Sequence, residues 1–211
     1  MLQFNYRTFG RKEGRTIITT KEKIRREALA LFAKKGYYGT SISDLADAVG
    51  ISKASLYSHY SGKDDVFLAV YEDVVSDHGR LFDRLVEASQ NMAIQERLRY
   101  NFVEYIIHFY RNTEIQRFSN QSLFHVPLEL YGKLRSDYLN REMQYRKSLE
   151  NAFLVGMQQG IIRNDDPSKK VWSFKTKRDG VLGWLCASPE LTEESIEEFW
   201  HDFWFGVTER K

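Results

Sequence analysis

The amino-acid sequence predicts an all-α protein made of a small N-terminal three-helix domain and a larger C-terminal helical bundle. Apolar residues recur at helical spacing through most of the 211 residues. Only three residues are proline, which leaves room for long helices. Hydrophobic residues make up 42% of the chain and aromatic residues 14%, so the chain can bury a substantial core.

The first predicted helix begins near Thr20, an N-cap candidate that has Lys23 at the position of an imperfect capping box. Gly36 ends this helix, because glycine readily adopts the conformation that closes a helix. The apolar stripe consists of Ile24, Ala28, Leu29, Leu31 and Phe32. This helix forms a three-helix unit with the two that follow.

The second predicted helix begins after Thr40 or Ser41, and Ser41 has capping-box spacing to Asp44. Gly50 follows the helix directly and supplies the turn. The apolar stripe consists of Ile42, Leu45, Ala46 and Val49. A short helix, a glycine turn and a second short helix are typical of a helix-turn-helix.

The third predicted helix covers residues 53–60 and has Ser52 as its N-cap. It buries Leu56, with Tyr60 as a second candidate. The outward side chains are Lys53, Ala54, Ser55, Tyr57, Ser58 and His59. Such a face suits a helix in the major groove of DNA, where bulk is excluded and polar groups reach base edges and phosphates. The competing interpretation is a capped helical hairpin that arose by chance.

The charged residues are distributed unevenly between the helix-turn-helix part of the chain and the rest. Residues 1–63 contain 12 Lys and Arg against 5 Asp and Glu, a formal balance of +7, whereas residues 64–211 contain 19 against 24, a balance of −5. The total of +2 therefore hides a basic N-terminal part and an acidic body. A basic end beside a helix-turn-helix favours nucleic acid over a membrane surface as the partner.

The N-terminal segment resembles the DNA-binding domain of the tetracycline-repressor-type (TetR-like) family of bacterial regulators. The resemblance lies in ALALFAKKGYYGTSISDLADAVGISKASLYSHY and the adjoining SGKDDVFLAVYE, about a quarter of the chain. It implies DNA contacts at Thr40, Ser52, Lys53, Ala54, Ser55, Tyr57, Ser58, His59 and Lys63. It also implies a homodimer on a palindromic site in double-stranded DNA, and a repressor that a small-molecule effector releases.

The predicted domains are residues 1–19, 20–66 and 67–211. They correspond to a flexible basic arm, the helix-turn-helix DNA-binding domain, and a helical regulatory and dimerisation domain. The alternative for the arm is that it contacts DNA through its cations, which are Arg7, Arg11, Lys12 and Arg15.

The body is predicted to be one helix after another. Amphipathic helices cover residues 67–85 and 98–109, and a short irregular region follows at residues 112–127. A long helix then covers residues 128–159 and stops at Gly160. We therefore expect a helical bundle without any sheet.

The last two predicted helices are the candidates for dimerisation. Asp166 caps the first of them, with Pro167 at its first position, and Thr192 caps the second. The polar sequence KTKRDG interrupts the apolar stripe of the first. The predicted interface residues are Val181, Leu185, Ile196, Phe199, Trp200, Phe203, Trp204 and Val207. Two helices from each chain would form a four-helix contact. The alternative is that these side chains pack inside the monomer.

The body is also rich in amphipathic aromatic side chains, which can line an apolar cavity that has a few polar groups. The candidates for effector binding are Tyr105, His108, Phe109, Phe118, Phe124, His125, Tyr131, Tyr138 and Trp172. Helical periodicity does not distinguish a cavity from a filled core, so packed core is the alternative for each of them.

Motifs for catalysis and for cofactors are absent from the sequence. It contains no GxSxG, no HExxH and no glycine-rich phosphate loop, and its five histidines are scattered. We therefore expect no enzyme activity, no cofactor and no metal site. Cys186, the single cysteine, lies in an apolar segment and is predicted to be buried.

No stretch reaches the roughly twenty uninterrupted apolar residues that span a membrane, and the polar start lacks a secretory signal. The expected location is the cytoplasm. Two further functions compete with a ligand-controlled regulator. One is a ligand-independent DNA-binding or architectural protein, and the other is a helical enzyme or partner-binding module.

Overall fold

The computed structural model describes residues 18–188 and 190–208, with the backbone alone at residues 123 and 124. These residues form nine helices and no extended strand, which confirms the predicted all-α fold. The helices are α1 (Thr20–Lys35), α2 (Ile42–Val49), α3 (Lys53–Tyr57), α4 (Lys63–Ser89), α5 (Ile94–Arg111), α6 (Thr113–Phe124), α7 (Leu128–Gln158), α8 (Pro167–Ala187) and α9 (Glu193–Val207). No helix in this part of the chain has the length and apolar character that crossing a membrane requires. The predicted basic arm falls outside the described residues, apart from its last two.

The helices form two compact units, whose boundary differs from the predicted one after residue 66. Unit 1 contains residues 18–78 and Asn112–Leu139, which include α1 to α3, the first part of α4, α6 and the first part of α7. Unit 2 contains Gly79–Arg111 and residues 140–208. The three N-terminal helices therefore share a unit with α6.

The starts of the first two helices follow the sequence with one correction. Helix α1 has Thr19 as its N-cap, not the predicted Thr20, because Glu22 is the residue that completes a capping box. The Thr19 amide donates to the Glu22 carboxylate at 2.8 Å. The predicted cap Ser41 of α2 and its capping box with Asp44 are confirmed.

The turn between α2 and α3 depends on Gly50. This residue has φ 76° and ψ 37°, the left-handed conformation, and its amide donates to the carbonyl oxygen of Ala46 at 3.0 Å. No atom lies within 4 Å of the position that a Cβ would occupy there. The requirement for glycine is therefore one of backbone conformation and not of space.

Three phenylalanine rings from three helices form the centre of unit 1. Phe32 of α1 and Phe67 of α4 meet edge to face, with ring centroids 5.0 Å apart. Phe118 of α6 packs against both, 5.2 Å from Phe67 and 6.3 Å from Phe32. All three side chains are fully buried. This contact joins α6 to the N-terminal helices.

The region predicted to be irregular, residues 112–127, is in fact mostly helix α6, so that prediction was wrong. The helix follows Asn112, whose side chain makes no capping hydrogen bond, so the usual start signal is missing. Its buried face carries Ile115 and Phe118 at helical spacing. Packing of these side chains inside unit 1 stabilises a helix whose own sequence signal is weak.

Helix α8 runs without a break through KTKRDG, so this polar sequence does not interrupt the helix. Lys175 and Arg178 lie on its buried face. The Lys175 ammonium pairs with the carboxylate of Glu142, and the Arg178 guanidinium lies over the ring of Tyr105. Long side chains with partners of this kind can take core positions that are otherwise apolar.

The apolar faces of α8 and α9 are buried inside unit 2. Trp200 is fully buried, with its ring 5.7 Å from that of Phe102 and 5.9 Å from that of Phe203. The predicted interface residues are accordingly buried at Val181, Leu185, Ile196, Trp200, Phe203, Trp204 and Val207, and half-buried at Phe199. These side chains therefore contribute to the core of unit 2.

Gly50→Ala is expected to lower the free energy of unfolding by about 1 kcal/mol, because alanine must adopt the left-handed conformation there. Gly62→Ala is the matched control: its Cβ would also meet no atom within 4 Å, but the φ of Gly62 is not positive. Urea unfolding of both variants measures the difference. Equal losses in the two would show that the left-handed turn is not the cause.

Candidate nucleic-acid interface

Helix α3 is short, and local hydrogen bonds fix both of its ends. The side-chain oxygen of Ser52 accepts a hydrogen bond from the amide of Ser55 at 3.1 Å, so the predicted N-cap is confirmed. The helix ends at Tyr57, three residues earlier than predicted. The Tyr60 amide still donates to the carbonyl oxygen of Leu56 at 3.1 Å, so the chain continues as a tight turn.

The outward side of α3 and of this turn carries most of the predicted DNA contacts. Tyr57 is the largest of these side chains and is 54% exposed. Leu56 and Tyr60 are buried and hold α3 in place. We call the outward set the recognition face; it consists of the exposed residues Ser52, Lys53, Ala54, Tyr57 and Ser58 and the half-buried residues Ser55 and His59. One cation, one exposed phenol and several small side chains can enter a major groove together.

Lys63 is the first residue of α4, and Tyr37 holds its side chain. The Lys63 ammonium donates to the carbonyl oxygen of Tyr37 at 3.0 Å and lies 4.1 Å from the centre of the Tyr37 ring. The Tyr37 hydroxyl donates to the carboxylate of Asp64. Burial, together with this bond, raises the pKa of Tyr37 well above its ordinary value. An ammonium group has three N–H donors, so the bond to Tyr37 leaves two for phosphate oxygens.

Thr40 differs from the other predicted contact residues because it is buried. Only 1% of the residue is exposed, and its hydroxyl donates to the carbonyl oxygen of Gly36 at 2.8 Å. The last carbonyl groups of a helix need partners from outside the helix. The Thr40 side chain therefore stabilises the connection between α1 and α2 and is not part of the recognition face.

Polar contacts between α1 and α2 support the position of the recognition face. Lys23 donates to the carbonyl oxygen of Val49, at the end of α2, at 2.8 Å. Lys35 pairs with Asp44 at 2.6 Å. Hydrogen bonds from Lys35 and from Ser41 hold the pKa of Asp44 well below its ordinary value. The carboxylate is therefore ionised at neutral pH and remains available to both partners.

Tyr38 is an exposed aromatic residue near Lys63 that sequence reasoning missed. It is 71% exposed, and its ring meets the ring of Tyr37 edge to face at 5.3 Å. The buried ring of Tyr37 therefore contacts both the exposed Tyr38 and the ammonium group of Lys63. Of this tyrosine pair, Tyr37 faces the core and Tyr38 faces solvent.

Three of the predicted effector-binding residues lie together in unit 2. Tyr105, His108 and Phe109 are buried on α5, and the ring centroid of Phe109 is 4.7 Å from that of Tyr105 and 5.0 Å from that of His108. Trp172 belongs to the same unit but is 51% exposed. Phe124 was also predicted to bind the effector, but its side chain lies outside the described part of the chain.

The other four candidates lie in unit 1. Phe118 fills the core of that unit. Tyr138 is half-buried, with its ring 6.5 Å from that of His78. His125 and Tyr131 are exposed. Of the nine predicted residues, the three on α5 are the ones whose rings lie in contact with one another.

Three buried residues that pack around Tyr105 were missed by sequence reasoning: Phe82, Tyr145 and Arg178. They lie on α4, α7 and α8, so only the tertiary structure brings them together with Tyr105. Among the described residues, no group of three or more His, Cys, Asp or Glu is placed to hold a metal ion. Cys186, predicted to be buried, is exposed on α8.

Comparison with known proteins gives relatives for both the N-terminal segment and the whole chain. The family described as "Bacterial regulatory proteins, tetR family" matches residues 24–70. The HTH-type transcriptional repressor KstR2 of Mycobacterium tuberculosis is 27% identical over 181 residues, which cover 80% of this chain and 82% of KstR2. The biofilm operon icaADBC HTH-type negative transcriptional regulator IcaR of Staphylococcus epidermidis is 47% identical over 47 residues. That match covers 22% of this chain and only a quarter (25%) of IcaR.

The fold is also similar to that of AibR, whose structure was solved in complex with isovaleryl coenzyme A and operator DNA. The TM-score is 0.67 at 25% identity, over 90% of this chain and 98% of AibR. The recognition face, the helical body and these similarities together define a helix-turn-helix transcriptional regulator. Residues 24–70 match the DNA-binding segment of the TetR family, and the chain as a whole is similar to regulators that carry this segment.

Tyr57→Ala is expected to weaken binding to a specific DNA site at least about tenfold, because the phenol is the longest group that the recognition face presents. Tyr131→Ala, which removes another exposed tyrosine from unit 1, is the matched control and should bind normally. Fluorescence anisotropy with one labelled duplex measures both variants, and circular dichroism verifies their helix content. Full affinity of Tyr57→Ala would remove α3 from the contact surface.

Proposed function

We propose that this protein is a transcriptional repressor that binds a palindromic operator as a homodimer and leaves it when a small-molecule effector binds the helical body. The recognition face of α3 is the observation that carries the proposal. On this face a short helix, held in place by the buried Leu56, presents a cation, a phenol and small polar side chains within the basic N-terminal part of the chain.

The contacts divide into those that read sequence and those that position the protein. Lys53 and Tyr57 lie on α3 and can reach base edges and phosphates in a major groove. Lys63 sits at the start of α4 and contributes a phosphate contact that fixes register and carries no sequence information. The formal balance of +7 in residues 1–63 strengthens binding to any DNA by releasing counterions.

The related proteins support repression as the mode of regulation, and they support control by a small-molecule effector. KstR2 is a transcriptional repressor and IcaR is a negative transcriptional regulator, so we infer repression here as well. AibR was solved with both isovaleryl coenzyme A and operator DNA. A small molecule and an operator are therefore the two ligands that we propose for this chain.

The path from the body to the DNA-binding helices follows from continuity of the chain. Helices α4 and α7 each contribute residues to both units, and α6 of unit 1 follows α5 of unit 2 after the single residue Asn112. A ligand must bind better to a conformation in which the two recognition faces of a dimer are wrongly spaced for successive major grooves, because only a difference in affinity can shift the equilibrium.

We infer that the dimer forms through the outer faces of α8 and α9, and not through the apolar residues that these helices bury inside unit 2. Trp184 and Phe205 are 66% and 72% exposed on these helices. Gly180, Gly183 and Gly206 leave open space where a Cβ would be, so a second helix can approach closely. Exposed aromatic residues often anchor interfaces between proteins. A two-fold operator also requires a two-fold protein.

The double variant Trp184→Ala, Phe205→Ala is expected to weaken dimerisation at least about 30-fold without loss of helix content, because neither side chain belongs to the core of the protomer. Trp172→Ala removes another exposed tryptophan from α8 and should remain a dimer. Light scattering over a range of concentrations measures the dimer fraction. An unchanged dimer in the double variant would place the interface elsewhere.

The proposed function needs no catalytic step, and we infer that the protein acts in the cytoplasm, where bacterial DNA lies. The competing functions make different demands on DNA. An architectural protein would bind duplexes of any sequence, whereas an enzyme or a partner-binding module would need no duplex at all. DNA selectivity is therefore the property that separates the three.

Selection from a pool of random DNA duplexes tests the proposal directly. We expect enrichment of one sequence in two inverted copies, with centres separated by one helical turn of about 34 Å or a multiple of it. Equal retention of all duplexes would favour an architectural role. Retention of none would favour an enzyme or a partner-binding module. An enriched site without inverted symmetry would contradict the homodimeric operator.

A further inference from the structure

The loop between α1 and α2, residues 36–41, presents one large exposed side chain from a tightly packed backbone. Tyr38 is 71% exposed. Before it, Tyr37 is buried, and its ring meets the Tyr38 ring edge to face with centroids 5.3 Å apart. After it, a Cβ at Gly39 would overlap the carbonyl oxygen of Lys35. The chain therefore passes close to the end of α1, where only glycine fits without a shift.

Hydrogen bonds on both sides of Tyr38 also hold this loop. The Thr40 hydroxyl donates to the carbonyl oxygen of Gly36 at 2.8 Å, and the Thr40 amide donates to that of Tyr37 at 3.4 Å. The Tyr37 hydroxyl donates to the carboxylate of Asp64 on α4. Tyr38 is therefore an exposed ring on a fixed backbone. Such a side chain loses little conformational freedom when it binds a partner.

The ammonium group of Lys63 lies beside the backbone of Tyr38. It donates to the carbonyl oxygen of Tyr37 at 3.0 Å, and this oxygen belongs to the peptide group that joins Tyr37 to Tyr38. In a trans peptide, the oxygen lies about 3 Å from the Cα of the following residue. None of the described peptide bonds is cis. The Lys63 ammonium is therefore within about 6 Å of the Cα of Tyr38.

The place of this loop in the helix-turn-helix indicates which part of DNA it meets. Tyr38 lies three residues before Ser41, the N-cap of α2, and α2 is the first helix of the helix-turn-helix. In helix-turn-helix proteins the second helix enters the major groove while the first helix crosses the sugar–phosphate backbone. The residues that precede α2 therefore approach phosphates and not base edges. The surface around Tyr38 also continues to Lys63, which the proposed function places on a phosphate.

We propose that Tyr38 and Lys63 form a clamp on the DNA backbone, in which the Tyr38 hydroxyl donates a hydrogen bond to a phosphate oxygen. The two donors hold one phosphate or two successive phosphates of one strand, which are about 3.4 Å apart along the helix axis. The inference rests on the proposed function, because it adds a contact outside α3 to the same DNA interface. We call Tyr38 and Lys63 the backbone clamp.

The competing explanation is that Tyr38 is an ordinary exposed side chain that packs on Tyr37 and binds nothing. Single exposed aromatic residues are common on protein surfaces. The two explanations differ in the role of the hydroxyl, because the ring alone is enough to pack on Tyr37. Tyr38→Phe therefore separates them, since it keeps the ring and removes only the hydrogen-bond donor.

Fluorescence anisotropy measures binding to a duplex that carries the selected site and to an unrelated duplex, over a range of salt concentrations. Tyr38→Phe is expected to weaken binding to both duplexes about fivefold, because the lost hydrogen bond joins a charged group that every DNA sequence presents. The salt dependence should stay the same, since a neutral hydroxyl releases no counterion. Lys63→Ala should also weaken binding to both, and should lower the logarithmic salt slope by about one unit.

Tyr131→Phe is the matched control, because it removes the hydroxyl of another exposed tyrosine of unit 1. It should bind both duplexes like the original protein. Circular dichroism verifies the helix content of all three variants.

A second measurement locates the clamp on the DNA. One phosphate of the duplex at a time is replaced by an uncharged methylphosphonate. At one phosphate, or at two neighbours, this replacement should weaken binding of Tyr38→Phe at least about threefold less than binding of the original protein, because the variant has no hydrogen bond there to lose. A purely structural role of Tyr38 would give the same ratio between the two proteins at every phosphate.

Three results would overturn the inference: full affinity of Tyr38→Phe for both duplexes, a loss confined to the selected site, or a loss that no single phosphate replacement reduces. These failures are separate from a failure of the proposed function. A protein that selects a palindromic duplex without the help of the Tyr38 hydroxyl keeps its function and loses the clamp. A protein that binds all duplexes alike but needs this hydroxyl loses the operator and keeps the clamp. A protein that binds no duplex loses both.

Discussion

The packing of Phe118 against Phe32 and Phe67 is the contact on which the DNA-binding unit depends. It brings α6, which lies in the body of the sequence, into one core with α1 and α4. The same helix reaches the end of α1, where the side-chain oxygen of Gln121 lies 3.1 Å from the position of a Cβ at Gly36. A side chain larger than glycine would press against α6, so the two helices are close neighbours along their length.

This packing explains how the body can act on a recognition face that it does not contain. Leu56 anchors α3 in the core of unit 1, and α6 belongs to that same unit. Only Asn112 separates α6 from α5, so we propose that a shift of α5 on ligand binding is transmitted to α6 through the chain itself. We infer that α6 then moves the helix-turn-helix as one body.

The helix-turn-helix is predictable because its signals are local: the turn at Gly50 and the caps act within a few residues. The other parts of the fold depend on contacts between residues that are distant in sequence, and local signals do not predict such contacts. Helix α6 has no capping signal at Asn112, so its sequence resembles a loop. The stripe around Trp200 has the same spacing whether it faces the core or a partner, so periodicity could not assign it. Arg178 stands where the period of α8 requires a core residue, which was the overlooked signal.

Amide hydrogen exchange of the full chain, free and bound to a duplex that carries the selected site, tests the central claim most directly. The account predicts slower exchange on DNA binding in α3 and at the start of α4, from direct contact, and also in α6, because α6 shares a cooperative unit with α1. Unchanged exchange in α3 would contradict the assignment of the recognition face. Protection of α3 with none in α6 would contradict the claim that Phe118 joins α6 to the DNA-binding helices.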